Sequence, residues 1–245
     1  MNEKRVSYDE IHEAYCEFID SCGKFSFYTR SIETQRQKVA ECDNYLVAIK
    51  QYKSQAIEKN NEPVANQFFH MQCMIHALRS SLLMWIELKE CSFENAWTHL
   101  VDAQEYTAIA LRLNDYEGVR NLEARLKGAE QSLFPGWKIY NSPGFVETVG
   151  KCSVCHAPFS ECDHVENEIY MGSLCQRIDR NIVRVDHFAF VENPRDRRCI
   201  ITKTSDDDGN EIDYFTWEKT GKKVNNEEGH HVEGRMFCIP TLDVL

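Results

Sequence analysis

The sequence predicts an α+β protein: an N-terminal antiparallel bundle of about five helices over residues 1–135, followed by a small β-rich domain over residues 136–245. Three observations carry this reading. Apolar residues recur every three or four positions through the first 133 residues, the period of helices with one buried face. Beyond them the pattern alternates between apolar and polar, broken by Asn, Asp, Gly and Pro, as in short strands. Between these regions six thiol and imidazole side chains crowd into 24 residues, five of them spaced C-x2-C-x6-C-x-H-x10-C, with His156 directly after the second Cys and expected to point away.

In the first region Tyr8, Ile11, Tyr15 and Cys22 form one stripe, ended by Gly23. Ile32, Val39, Cys42, Leu46 and Ile49 mark a longer helix from about residue 31 to 59. Pro63 suits the first turn of the next one. There Val64, Phe68, Met71, Ile75, Leu78, Leu82 and Trp85 alternate by four and three. Leu83, Met84, Ile86 and Leu88 make its end apolar nearly all round, which predicts a central position. Ser92 is a candidate N-cap for a fourth helix carrying Phe93, Trp97, Leu100 and Val101. Val119, Leu122, Leu126 and Leu133 define a fifth. The joints are short, so neighbours should run antiparallel. His70 and His76 lie on the central helix, but no Glu-x-x-His pair accompanies them, so packing is expected of them rather than di-iron chemistry.

Residues 134–145 hold Pro135-Gly136 and Ser142-Pro143-Gly144, which predicts two turns. The aromatics Phe134, Trp137, Tyr140 and Phe145 predict that this joint packs against something. Beyond residue 186, Cys199 to Thr204 alternates into Asp206-Asp-Asp208-Gly209 and then Ile212, which predicts a β-hairpin with an Asp-Gly turn. Residues 219–233 are polar and read as a loop, and residues 235–239 as a last strand. Arg177, Arg180 and Arg184 are expected on the solvated face of a short helix over residues 173–184.

Thiolate sulfur and imidazole nitrogen are the donors of structural zinc, which takes four of them. Cys152-Ser-Val-Cys155 places two thiols on one turn, and Cys175 returns after Gly172. Cys162 and His164 stand two apart and face the same side of an extended chain. Cys152, Cys155 and Cys175 are therefore the firmest candidates, and either Cys162 or His164 supplies the fourth place. One structural Zn2+ per chain is expected, with no catalytic residue. The string Cys152-x-x-Cys155, Glu161-Cys162-Asp-His164 and Tyr170-x-Gly172-x-x-Cys175 resembles the short zinc knuckles appended to poorly characterised bacterial and prophage proteins. In that pattern a Gly often follows the second Cys, where this chain has His156; a second Gly is replaced by Glu166. The resemblance implies a metal-stabilised accessory module in a bacterial or mobile-element setting, phage defence among them.

Composition narrows function further. The net charge is −11 and both halves carry an acidic excess, unlike a general nucleic-acid binder. The densest basic spot is Arg195, Arg197 and Arg198, a candidate for weak phosphate contact. No run of 18 apolar residues predicts a membrane span, and eleven cysteines without a signal-type leader predict a reducing cytoplasm. The leading expectation is a non-enzymatic zinc-binding scaffold that meets other proteins through its bundle or its tail. The alternative is an HNH-like nuclease with Asp163-His164 at its start and Asn181 and His187 downstream. That arrangement needs a helix where residues 183–191 read as a strand. An Arg180…His187 ribonuclease motif fails for the same reason, since it requires a helix.

Overall fold

The computed structural model describes residues 7–225 and 229–237. Five helices come first: α1 (Tyr8–Gly23), α2 (Ile32–Glu58), α3 (Glu62–Lys89), α4 (Phe93–Leu113) and α5 (Glu117–Leu133). Ten strands follow among the described residues, and the protein is α+β as the sequence predicts. The chain folds as two compact units. Among the described residues the first runs to Leu126 and also takes in Tyr170–Ser173; the second comprises Lys127–Ile169 and the described residues from Leu174 onward.

Local chemistry starts the first three helices. Ser7 and Glu10 form a reciprocal capping box on α1, with Glu10 N–H donating to Ser7 Oγ at 3.2 Å and Ser7 N–H to Glu10 Oε2 at 2.8 Å. Ser31 Oγ accepts from Thr34 N–H on α2, and Asn61 Oδ1 accepts from Val64 N–H on α3, where Pro63 sits in the first turn. Ser92 stands at the N-cap of α4, but its side chain makes no cap bond; its Oγ accepts from Asn95 Nδ2 instead.

Helix α3 is central, packing against α1, α2 and α4. Phe69, Met71, Ile75, Leu78, Leu82 and Met84 are all buried, against Leu46 and Ile49 of α2 and Trp97 and Leu100 of α4 among others. His70 and His76 are packed in this core, His76 stacked on Tyr106 at 4.6 Å. Of the helical-region cysteines, Cys22, Cys42 and Cys73 are buried, but Cys16 is exposed, and Cys91 is exposed in the α3–α4 turn with φ +58°. In the same unit Gly172 N–H donates to Asn66 Oδ1 at 2.8 Å and Met171 N–H to Glu62 Oε1 at 3.1 Å. Gly172 has φ +72°, and a Cβ there would lie 2.7 Å from Ala65 O, so only glycine fits.

The second unit is built from ribbons. Strands β1 (Tyr140–Glu147) and β6 (Ile182–Val191) form a long antiparallel pair, joining chain on either side of β2 (Lys151–Cys152), β3 (Ile169–Tyr170), β4 (Ser173–Leu174) and β5 (Arg177–Ile178). β2 pairs with β5, and β3 with β4. A four-stranded sheet follows, ordered β10-β7-β8-β9, from β7 (Ile201–Ser205), β8 (Asn210–Asp213), β9 (Lys219–Lys223) and β10 (Val232–Gly234). The β7–β8 hairpin turns at Asp206–Gly209 as expected. Asp206 Oδ1 accepts the Asn210 and Asp208 N–H groups, and its other oxygen meets Lys219, so the acidic turn is satisfied internally. Trp137 is buried, donating its indole N–H to Ile201 O at 2.9 Å beside Phe215.

Three sequence expectations change here. Residues 141–145 are not a turn but the body of β1. Pro143 is tolerated because this is a two-stranded ribbon, and the register slips after Gly144, where the His187 ring occupies the place a Cβ would take. Residues 173–184 are not a helix but β4, β5 and the start of β6, and their arginines pair across strands: Arg177 with Glu147 and Glu166, Arg180 with Glu147. The polar stretch after residue 218 is not all loop, since β9 and β10 form both edges of the four-stranded sheet. Cys238 and Ile239, expected in a last strand, lie outside the described residues.

Candidate metal centre

The turn after β2 brings the first thiols together. His156 N–H donates to Cys152 O, and Cys152 N–H to Ala157 O, both at 2.9 Å, which closes the chain tightly around residues 152–157. His156 takes φ +59° to do so. A histidine thus adopts the left-handed backbone that glycine takes more readily. Inside the turn Cys152 Sγ accepts the Val154 N–H at 3.4 Å and the Cys155 N–H. Burial pushes the Cys152 thiol up, but those backbone donors and the neighbouring thiols outweigh it and bring it down to about 6. A cysteine so placed is thiolate near neutrality, the form that binds metal.

A short 3-10 helix, Phe159–Glu161, then turns the chain back, and Cys162 follows in extended conformation. Its sulfur accepts the His164 backbone N–H and lies beside the Cys152 and Cys155 sulfurs; burial and those thiols raise its pKa. The ligand atoms of Cys152, Cys155, Cys162 and His164 all lie within 4.8 Å of one another. Cys152 is buried, Cys162 and His164 half-buried, and Cys155 exposed. One face of an extended Cys-x-His unit thus supplies two donors, as the two-residue spacing allows.

Cys175, expected among the firmest ligands, has its sulfur close to one member of this group, Cys152. It is outside this group of four, fully buried, with its Sγ 3.7 Å from Cys152 Sγ. Burial, with the adjacent Cys152, pushes its thiol up to about 12. Its backbone is pinned by Asn167 N–H on Cys175 O at 2.7 Å and Cys175 N–H on Glu168 O at 2.8 Å. Both members of the Cys162/His164 pair, between which the sequence left the choice open, belong to the converging set. Ser153 ties the two ends of the stretch, donating its N–H to Gln176 O and its hydroxyl to Leu174 O while accepting Gln176 N–H.

The other candidates are not gathered into a site. Asn181 precedes β6 and His187 lies within it, in extended chain rather than on a helix. Within the basic spot, Arg198 is buried against Asp196 and Arg197 pairs with Glu130, which leaves Arg195 exposed. The structure adds one group that the sequence did not signal: Glu211 on β8, His231, and Glu233 on β10. Sequence spacing carries no trace of it, because the pairing of β10 with β7 creates it. Glu233 faces Lys203 across β7–β10 and meets its Nζ at 2.8 Å, while Glu211 accepts the Thr220 hydroxyl and has Lys222 Nζ at 3.9 Å. Two lysines already balance these carboxylates, an ion-pair network rather than a cation cage.

No protein-family model matches this chain, and no curated protein and no solved structure matches it. No helix among the described residues is long and apolar enough to cross a membrane.

Proposed function

We propose that the protein is a non-enzymatic interaction protein whose second unit is closed by one structural Zn2+ on Cys152, Cys155, Cys162 and His164. The observation that carries this is the convergence of four protein donors within 4.8 Å. Four such donors complete a tetrahedral shell, so no coordination place remains for a reacting water, as a catalytic zinc requires. Three thiolates and an imidazole form a soft set that suits zinc and disfavours magnesium or calcium. His164 within a thiol cluster also supports a ligand role over that of a nuclease base. The interaction role is supported by β6, whose Val183 and Phe190 are 64% and 61% exposed, with Ile182, Val185 and Phe188 also open. Apolar side chains gathered in the open are more usual in binding surfaces than in monomer surfaces. The bacterial accessory setting rests on the knuckle resemblance alone.

Elemental analysis of the full chain purified in reducing buffer tests the metal. One zinc per chain is expected, with Cys155→Ser and His164→Ala each lowering it. Metal content unchanged by both substitutions would remove this ligand set. Magnesium-dependent cleavage of DNA that survives zinc chelation would sink the non-enzymatic reading.

A further inference from the structure

A four-coordinate centre surrounded by five donors has one thiol to spare. Cys175 Sγ stands 3.7 Å from Cys152 Sγ, and both residues are fully buried. The two cysteines sit on neighbouring segments that are already laced together. β2 pairs with β5, Ser153 N–H donates to Gln176 O, and Asn167 and Glu168 pin Cys175 on its other side. Little backbone movement is needed to bring these sulfurs to bonding distance. Cys155, by contrast, is the exposed member of the ligand set, and its sulfur lies within 4.8 Å of that of Cys152. Exposed ligand, buried ligand and spare buried thiol thus lie in series.

We infer that Cys152 and Cys175 form a disulfide when the centre meets a hydroperoxide, and that this bond expels the metal. The inference rests on the metal assignment proposed above. The Cys155 thiolate attacks a peroxide oxygen; an S–O bond forms, the O–O bond breaks, and hydroxide leaves. The Cys152 thiolate attacks the Cys155 sulfur, forming an S–S bond and displacing a second hydroxide. The Cys175 thiol gives its proton to hydroxide and attacks the Cys152 sulfur, and Cys155 leaves as thiolate. Peroxide gains two electrons and two thiols lose them. The product disulfide is buried, and a metal stripped of Cys152 keeps an incomplete shell.

The test uses the zinc-loaded full chain with reductant removed. Hydrogen peroxide is added, released zinc is followed with a chromogenic chelator, and disulfide-linked peptides are mapped by mass spectrometry after thiol blocking. Release of one zinc per chain with a Cys152–Cys175 link is the expected result. A link that stops at Cys152–Cys155, or release without either link, overturns it. Cys175→Ser should keep its zinc in reducing buffer, stop at the Cys152–Cys155 link, and regain zinc about tenfold faster on adding glutathione, because Cys155 is exposed. Loss of zinc from Cys175→Ser under reducing conditions would make Cys175 a ligand and overturn the inference. A wild-type chain that carries no zinc would sink the metal assignment instead. Peptide mapping of that chain would still decide whether the two cysteines join.

Discussion

The two units solve the same problem by different means. In the first, α3 is buried nearly all round, and its neighbours supply Leu46, Ile49, Trp97 and Leu100 to a continuous apolar core. In the second, paired strands are as short as two residues, and the core around Trp137, Leu174, Ile200 and Ile201 is small. Strands that short have no stability of their own in water. The thiol and imidazole cluster falls among the two-residue strands β2 to β5. With the proposed zinc bound, these side chains would do there what packing does in the helices.

The contrast can be broken from either side. Metal removal should have the largest effect. A structural zinc of this type contributes about 10 kcal/mol, so chelation should expose the second unit to amide exchange while the helical signal at 222 nm persists. Collapse of both signals together would erase the distinction. In the first unit Leu82→Ala should cost about 3–4 kcal/mol through the cavity it leaves in α3's core. Its urea midpoint should fall with zinc content unchanged.

The third test is acid. His70 is buried with its Nε2 unpartnered, and burial first, then nearby His12, pushes its pKa down to about 4 from 6.5. The unfolded chain takes up this proton more readily than the folded one. Stability should therefore be complete above pH 6.5 and fall as pH drops toward 4, by about 3 kcal/mol. A denaturation series on wild type and His70→Gln reads this directly, and equal slopes in the two proteins would remove His70 as the cause. The smallest effect is a gain. His156→Gly should relieve the left-handed backbone of the turn at residues 152–157 and stabilise the second unit by about 1 kcal/mol, seen as slower zinc loss to a chelator.

The helical region was legible because a 3.6-residue period and Pro63 act within one or two turns of chain, while the Ser7 and Ser31 caps emerged only in the structure. The Asp206–Gly209 hairpin was legible for the same local reason. What escaped depends on distant pairing. Pro143 and Gly144 look like a turn until β6 lies alongside and His187 covers the glycine. The arginines at 177, 180 and 184 keep a helical spacing, and only Glu147 and Glu166 on other segments reveal Arg177 and Arg180 as strand-region residues. In the candidate site, spacing named all five donors. It ranked Cys175 with Cys152 and Cys155 and left Cys162 and His164 as alternatives, because spacing does not show which sulfurs and nitrogens converge within 4.8 Å once Asn167 and Glu168 hold the Cys175 backbone.

The four residues Tyr170–Ser173 give the molecule an unusual anatomy. They belong to the first unit, yet the residues on both sides of them belong to the second, and they lie inside the loop between His164 and Cys175. Neither unit is a single stretch of sequence. A chain ended after Leu126 would lose the backbone donors that Gly172 and Met171 bring to Asn66 and Glu62. A cut after Leu126 would therefore leave the first unit without its Tyr170–Ser173 segment.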